Sequence, residues 1–302
     1  MLTTLSPSVQ AAKESGLFTY PGPYAEYFRS LPDGPKALGD LISHQIIHRV
    51  TLAEGNTRAN ADLRYGDMNR WPWYRHPCED DIYLTAPAMT AGLFRLDERG
   101  FVPDRAVEHK LVLTCRFVSV LVSAICKAKG LPCRSRAGFA PYIQPGRTMD
   151  HWINQLWVEK EGRWLTFDAD GFYEGLPVPV HQYDMEPGEF DWAAKSWLDI
   201  RSGREDGSRF LYADRLGTSG LQAVGRYLVY DFHALMNHEI SYVFFPRCME
   251  GFLERKEPLA GETLALLDRL AELMTDPDGN YQALSGLWET ERCLRDLRSP
   301  LV

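Results

Sequence analysis

A cysteine heads an apolar helix, and three strand-like runs follow it in quick succession; no other feature limits this fold so tightly. Thr114 can cap a helix that runs from Cys115 to about Lys129, where Gly130 and Pro132 end it. Phe117, Val118, Leu121, Val122 and Ile125 recur at the i, i+4 rhythm of a buried helix. Cys133 to Tyr142, His151 to Glu159 and Arg163 to Phe167 read as strands, with Glu161-Gly162 as a tight turn between the last two. A helix followed by an antiparallel sheet predicts the α+β class.

Helical patterns flank this block on both sides. Leu38, Leu41, Ile42, Ile46 and Val50 recur at helical spacing after Pro35, which predicts one amphipathic helix. From Asn56 to Pro87 the chain is crowded with Arg, Asp, Trp, Tyr and Pro and reads as a long loop. Further helices are expected over Leu221 to Tyr242, Glu262 to Met274 and Gln282 to Leu297. No linker divides the 302 residues, so a single compact domain is expected over 1–302. It comprises a core over about 105–175, a helical N-terminal extension (1–104) and a mainly helical C-terminal region (176–302).

Charge and cysteine usage narrow the function classes. A net charge of −8 without a basic block argues against nucleic acid, whose phosphates demand clustered cations. No apolar run approaches the ~20 residues of a membrane span, and no secretory signal opens the chain. Six cysteines without framework spacing predict reduced thiols in a cytoplasmic protein.

A nucleophilic thiol needs help to ionise, a base within hydrogen-bond reach, and a group that orients the base. Cys115 sits in a first helical turn, where the dipole favours thiolate and free N–H groups can hold an oxyanion. His151 opens one expected strand and Asp168 ends the next. Hairpin pairing of the two brings both to one end of the sheet, which predicts a Cys115-His151-Asp168 triad. Asp150 and Asp170 compete for the orienting role, but alternation puts Asp168 on one face with Thr166 and Asp170 is already in the following turn, which favours Asp168.

These residues resemble the transglutaminase-like (papain-type) core. The likeness is carried by Thr114-Cys115-Arg116-Phe117, Lys129-Gly130-Leu131-Pro132-Cys133-Arg134, Gly138-Phe139, Asp150-His151-Trp152 and Trp164-Leu165-Thr166-Phe167-Asp168. In that superfamily a cysteine starts a helix, a Gly-[Ile/Leu]-Pro-Ala-Arg turn follows, and histidine and aspartate come from successive strands. The resemblance covers about 105–175. A fainter one extends to uncharacterised bacterial relatives, through Tyr230-Asp231-Phe232-His233-Ala234-Leu235-Met236-Asn237. This chain carries Phe117 where those relatives have aspartate, and Cys133 where alanine is usual.

The resemblance implies acyl transfer on an amide or thioester through an acyl-enzyme. Water as acceptor makes an amidohydrolase or peptidase; an amine makes a transamidase or amide synthase. The expected substrates are peptides, small amides or carrier-bound thioesters. The competing expectation is an inactive scaffold of the same fold that binds a partner; a buried or ordinary-pKa Cys115 would favour it. Trp71, Trp73, Tyr74 and Trp152 are candidates for lining the site, with aromatic packing as the plainer use. Arg134 and Arg136 alternate on one strand face, where they either pair with acids or hold a substrate carboxylate.

No cofactor or metal is expected. His44 and His48 have the i, i+4 spacing of a zinc helix but lack its glutamate and a third ligand. Cys126 lies about 16 Å along the helix from Cys115 and reads as core. The C-terminal helices cap the cleft or form a homodimer surface.

Overall fold

The structure, a computed structural model, describes residues 5–49, 72, 75, 79–170, 178–213 and 217–298. Helices α1 (Pro7–Ala11), α2 (Ala25–Ser30) and α3 (Pro35–Ser43) open the chain, followed by strand β1 (Ile46–His48). Helix α4 (Ala86–Leu96) precedes strand β2 (Leu111–Leu113), which pairs with β1 in parallel. Then come the central helix α5 (Cys115–Ala128) and strands β3 (Cys133–Ala140), β4 (Thr148–Val158) and β5 (Arg163–Phe167). The remainder is β6 (Asp191–Trp192), α6 (Ala193–Arg201), β7 (Phe210–Leu211), α7 (Leu221–Leu235) and β8 (Phe245–Pro246). It closes with α8 (Glu250–Arg255), α9 (Gly261–Met274), α10 (Tyr281–Thr290) and β9 (Leu297–Arg298). The class is α+β.

The sheet runs β5-β4-β3-β6, with β7 added in parallel to the start of β4. β3 and β4 pair from Cys133↔Leu156 to Ala140↔Met149, and β4 turns tightly into β5 at Val158↔Arg163. Gly162 makes that turn with φ 64°, a conformation glycine adopts without a Cβ penalty. Ser123 of α5 hydrogen-bonds Ser135 of β3 at 3.0 Å, which fixes the helix against the sheet. Every residue of α5 from Cys115 to Lys127 is buried, so this helix is the axle of the fold. Burying each of its Phe, Val, Leu and Ile side chains contributes about 1.5–3 kcal/mol. The main apolar cluster spans Phe18 to Leu294, so both flanking regions pack on the same core as the sheet.

Several expected boundaries move. The helix read from Leu38 to Val50 stops at Ser43, and Ile46 and Ile47 enter β1 instead. Two β-branched residues opposite Leu111 and Val112 gain a ladder there, which helical spacing cannot reveal. The helix expected to reach Tyr242 ends at Leu235, because Asn237 turns the chain with φ 55° and anchors on Ala11 and Lys127. The last helix ends at Thr290 rather than Leu297, since Leu297 and Arg298 pair with β8. His151 does not open its strand: β4 begins at Thr148. Thr114 holds the N-cap position of α5, but its hydroxyl takes no helix N–H; its carbonyl accepts from Phe117 and Val118.

Candidate active site

Three elements deliver the site. α5 presents Cys115 at its first residue, with Thr114 extended ahead of it at φ −127° and ψ 175°. β4 carries His151, and Asp168 follows β5 directly. Because β5 pairs no further than Phe167↔Asn154, the edge of β4 beside His151 is left open on that side. Asp168 turns into this gap, and its Oδ2 lies 2.7 Å from His151 Nε2. The same imidazole lies beside the Cys115 thiol and pulls its pKa down against burial. Cys115, His151 and Asp168 are therefore in contact, in the order a nucleophile-base-orienter chain requires.

Asp168 is held on every side. Tyr142 donates its hydroxyl to Oδ2 at 2.7 Å, and the Asp170 backbone N–H donates to Oδ1 at 2.9 Å. Gln182 brackets the Asp168 backbone, accepting its N–H and donating its side-chain amide to its carbonyl. Burial opposes ionisation of Asp168, but His151 and these donors overcome it and hold the carboxyl below the usual carboxylate range. For His151, burial opposes the charge; the Asp168 carboxylate and Cys115 outweigh it, and its pKa stands well above the ordinary histidine value. The Asp168 carboxylate thus favours the protonated form of the imidazole.

The thiol is enclosed. Cys115 is 5% exposed, and burial pushes its pKa up against the pull of His151. Tyr242 lies over it, with Oη 3.2 Å from Sγ and accepting the Arg116 backbone N–H at 3.4 Å. The tyrosine is positioned by a neighbouring aromatic group, since Tyr230 donates to the Tyr242 carbonyl at 3.1 Å. Arg116 itself points away: its buried guanidinium binds the carbonyls of Glu239, Ile240 and Leu84. That arrangement ties the first turn of α5 to the segment bearing Tyr242.

The other candidate residues fall elsewhere. Asp150 accepts from the Tyr227 hydroxyl and the Ala213 N–H. Trp152 is 1% exposed and packs against Tyr230. Arg134 binds Asp278 through two nitrogens, and Arg136 binds Asp231 likewise. The two guanidiniums lie over the rings of Trp164 and Trp192. By alternation they face away from α5, which Ser135 between them touches. Trp71, Trp73 and Tyr74 lie outside the described residues, as does Cys78. Cys126 and Cys133 are buried, and Cys133 Sγ lies 3.9 Å from the Ser123 hydroxyl. Cys248 donates to the Cys293 carbonyl at 3.4 Å.

His44 and His48 do not form a helical pair. His44 caps α3 and bonds the Asp40 carbonyl through Nδ1, while His48 ends β1. His48 Nε2 lies 3.8 Å from Asp170 Oδ2, and both groups border the Cys115 thiol. Tyr142, Tyr242 and this His48–Asp170 pair are the residues that sequence reasoning left out of the site. Tyr142 alone had a local signal, as a tyrosine just beyond the strand whose partner bears His151. No helix among the described residues is long and apolar enough to cross a membrane. Comparison with protein-family models, with curated proteins and with solved structures returned no match.

Proposed function

We propose that this chain is a cysteine-dependent acyl-transfer enzyme with a transglutaminase-like, papain-type core, acting in a reducing cytoplasm. The observation that carries the reading is the continuous chain of contacts Tyr142–Asp168–His151–Cys115 at the head of a buried helix. In the reaction, His151 takes the Cys115 thiol proton as Sγ attacks the carbonyl of an amide or thioester. The oxyanion that forms takes hydrogen bonds from the Arg116 N–H and the Tyr242 hydroxyl, with the dipole of α5 behind them. His151 protonates the leaving amine or thiol, and the acyl group stays on sulfur. Water or an amine then attacks the acyl-enzyme, returning its proton to His151. Peptides, small amides and carrier-bound thioesters are the substrate classes this chemistry takes.

A second reading is favoured by one observation, the burial of Cys115 under Tyr242 together with its raised pKa. On that reading the fold is a binding scaffold whose thiol stays protonated. Iodoacetamide labelling at about pH 6, mapped by peptide mass spectrometry, separates the two, because an ordinary thiol near pKa ~8.5 is almost unreactive there. Selective labelling of Cys115 that slows in His151→Ala is the expected result. Labelling of Cys115 no faster than Cys248 or Cys293 would put the scaffold first.

A further inference from the structure

We infer that Cys115, His48 and Asp170 form a zinc-binding site, and that a bound zinc ion withdraws the thiol from acyl transfer. Three observations carry the site. The ligand atoms of the three residues all lie within 4.8 Å of one another. Zinc bonds of about 2.0–2.2 Å to nitrogen and oxygen in a tetrahedron put those two ligand atoms roughly 3.3–3.6 Å apart, so the 3.8 Å between His48 and Asp170 needs to close by only a few tenths of an ångström. The Cys115 side chain has further to draw in, by about 1.3 Å at most.

The donor set is the second observation. One thiolate, one imidazole and one carboxylate suit zinc, whereas magnesium and calcium take oxygen ligands. The two anionic donors balance the charge of the dication. Three protein ligands leave a fourth tetrahedral position for water.

The third is support and access. Asp170 is fixed by its own N–H bond to Asp168 Oδ1, so the second carboxylate is oriented by the first. His48 is fixed by the β1–β2 pairing, His48↔Leu113, on the strand that leads straight into Thr114 and Cys115. The His48 side chain is 23% exposed and Asp170 9%, so the site is reached from the His48 side although the thiol is enclosed.

On binding, the S–H bond breaks heterolytically, its electron pair becomes the S–Zn bond, and the proton passes to bulk water. No electron is transferred, and removal of the ion by a chelator restores the thiol. Sulfur held by the metal no longer attacks a carbonyl, so occupancy is a reversible block. That consequence rests on Cys115 being the nucleophile; the metal site does not.

The test is a titration of metal-free full-length protein with Co2+, a spectroscopic stand-in for zinc. One equivalent is expected to give tetrahedral visible bands and a thiolate-to-metal charge-transfer band, displaced by Zn2+ and not by Mg2+ or Ca2+. Cys115→Ser abolishes the charge-transfer band. His48→Ala and Asp170→Asn each weaken binding by more than ~10-fold, whereas His151→Ala retains it. Circular dichroism of each variant confirms that it is folded. A band that survives Cys115→Ser, or wild-type affinity in folded His48→Ala, overturns the site. Iodoacetamide labelling of the metal-free protein is read separately. Cys115 that binds Co2+ but never labels refutes acyl transfer and leaves the site standing; Cys115 that labels but gives no band refutes the site alone.

Discussion

Strands β3 and β4 carry two buried polar clusters that end in different ways. In the first, Arg136 meets Asp231 with both bonds at 2.8 Å, and Arg134 meets Asp278 at 2.9 and 3.0 Å. Gln155 bridges the two arginines, and Asp231 also accepts the Ala137 N–H. Each carboxylate there faces a guanidinium fork. The second cluster begins the same way, with Asp168 satisfied by Tyr142, His151 and the Asp170 N–H. It ends on a thiol whose neighbours are a base, a tyrosine and a second histidine-carboxylate pair. A network closed on itself holds the fold, whereas one that ends on a thiol leaves a group over for the proposed chemistry.

Substitutions at equivalent points of the two clusters test that contrast. Asp168→Asn removes the charge that holds the proton on His151. Acylation of Cys115 by an activated ester is expected to slow by ~10²–10⁴-fold, measured by stopped flow. Cys115 acylated at the wild-type rate would mean that Asp168 is only structural. In the closed cluster the loss is of stability instead. Asp231→Ala leaves Arg136 buried and unpaired, and costs about 3–5 kcal/mol in urea unfolding. If folded Asp231→Ala lost thiol reactivity while keeping its midpoint, the contrast between the clusters would collapse.

Tyr242→Phe sharpens the picture within the site. Loss of one oxyanion donor is expected to lower ester acylation by ~10²–10³-fold. Alkylation by iodoacetamide, which forms no oxyanion, is not slowed by the same change. Equal slowing of both reactions would show that Tyr242 acts on the thiol and not on the carbonyl.

The smallest effect is a pH dependence. The raised pKa of His151 gives stability that is fully present below its unfolded value of about 6.5 and is lost as pH climbs through the folded value. Asp168, with a lowered pKa, contributes above its unfolded value of about 3.9 and loses that contribution as pH falls through the folded one. The stability gap between wild type and His151→Ala should therefore be widest between those two unfolded values. It should narrow as the solution is made alkaline. A gap that widens from pH 6 to pH 10 in thermal melts would reverse the assigned direction for His151.

Much of the site's frame was legible in the sequence because it is local. The helix from Cys115 is written in i, i+4 apolar spacing and stopped by Gly130, whose φ is 77°. The β4–β5 hairpin is signalled by Glu161-Gly162, within a turn of four residues (159–162), and pairing then brings His151 and Asp168 to one end of the sheet. Asp168 was preferred to Asp170 because Asp170 falls in the turn after the strand, though both lie in the site. Strand ends were misplaced because pairing with β6 and β7 was invisible: Phe210 opposite Thr148 extends β4 ahead of His151.

What the sequence determined by itself is the order and type of the central elements, since backbone propensity, apolar period and turn chemistry act over a few residues. Only the tertiary structure decided that Tyr242 covers Cys115, that Tyr142 braces Asp168 and that His48 and Asp170 share the thiol's surroundings. Those contacts join residues far apart in the chain, 127 positions for Cys115 and Tyr242. Their free energy comes from burial and hydrogen bonds that exist only once α5 has packed on the sheet. No local pattern carries that information, because each of these side chains, taken with its sequence neighbours, is an ordinary tyrosine, histidine or aspartate.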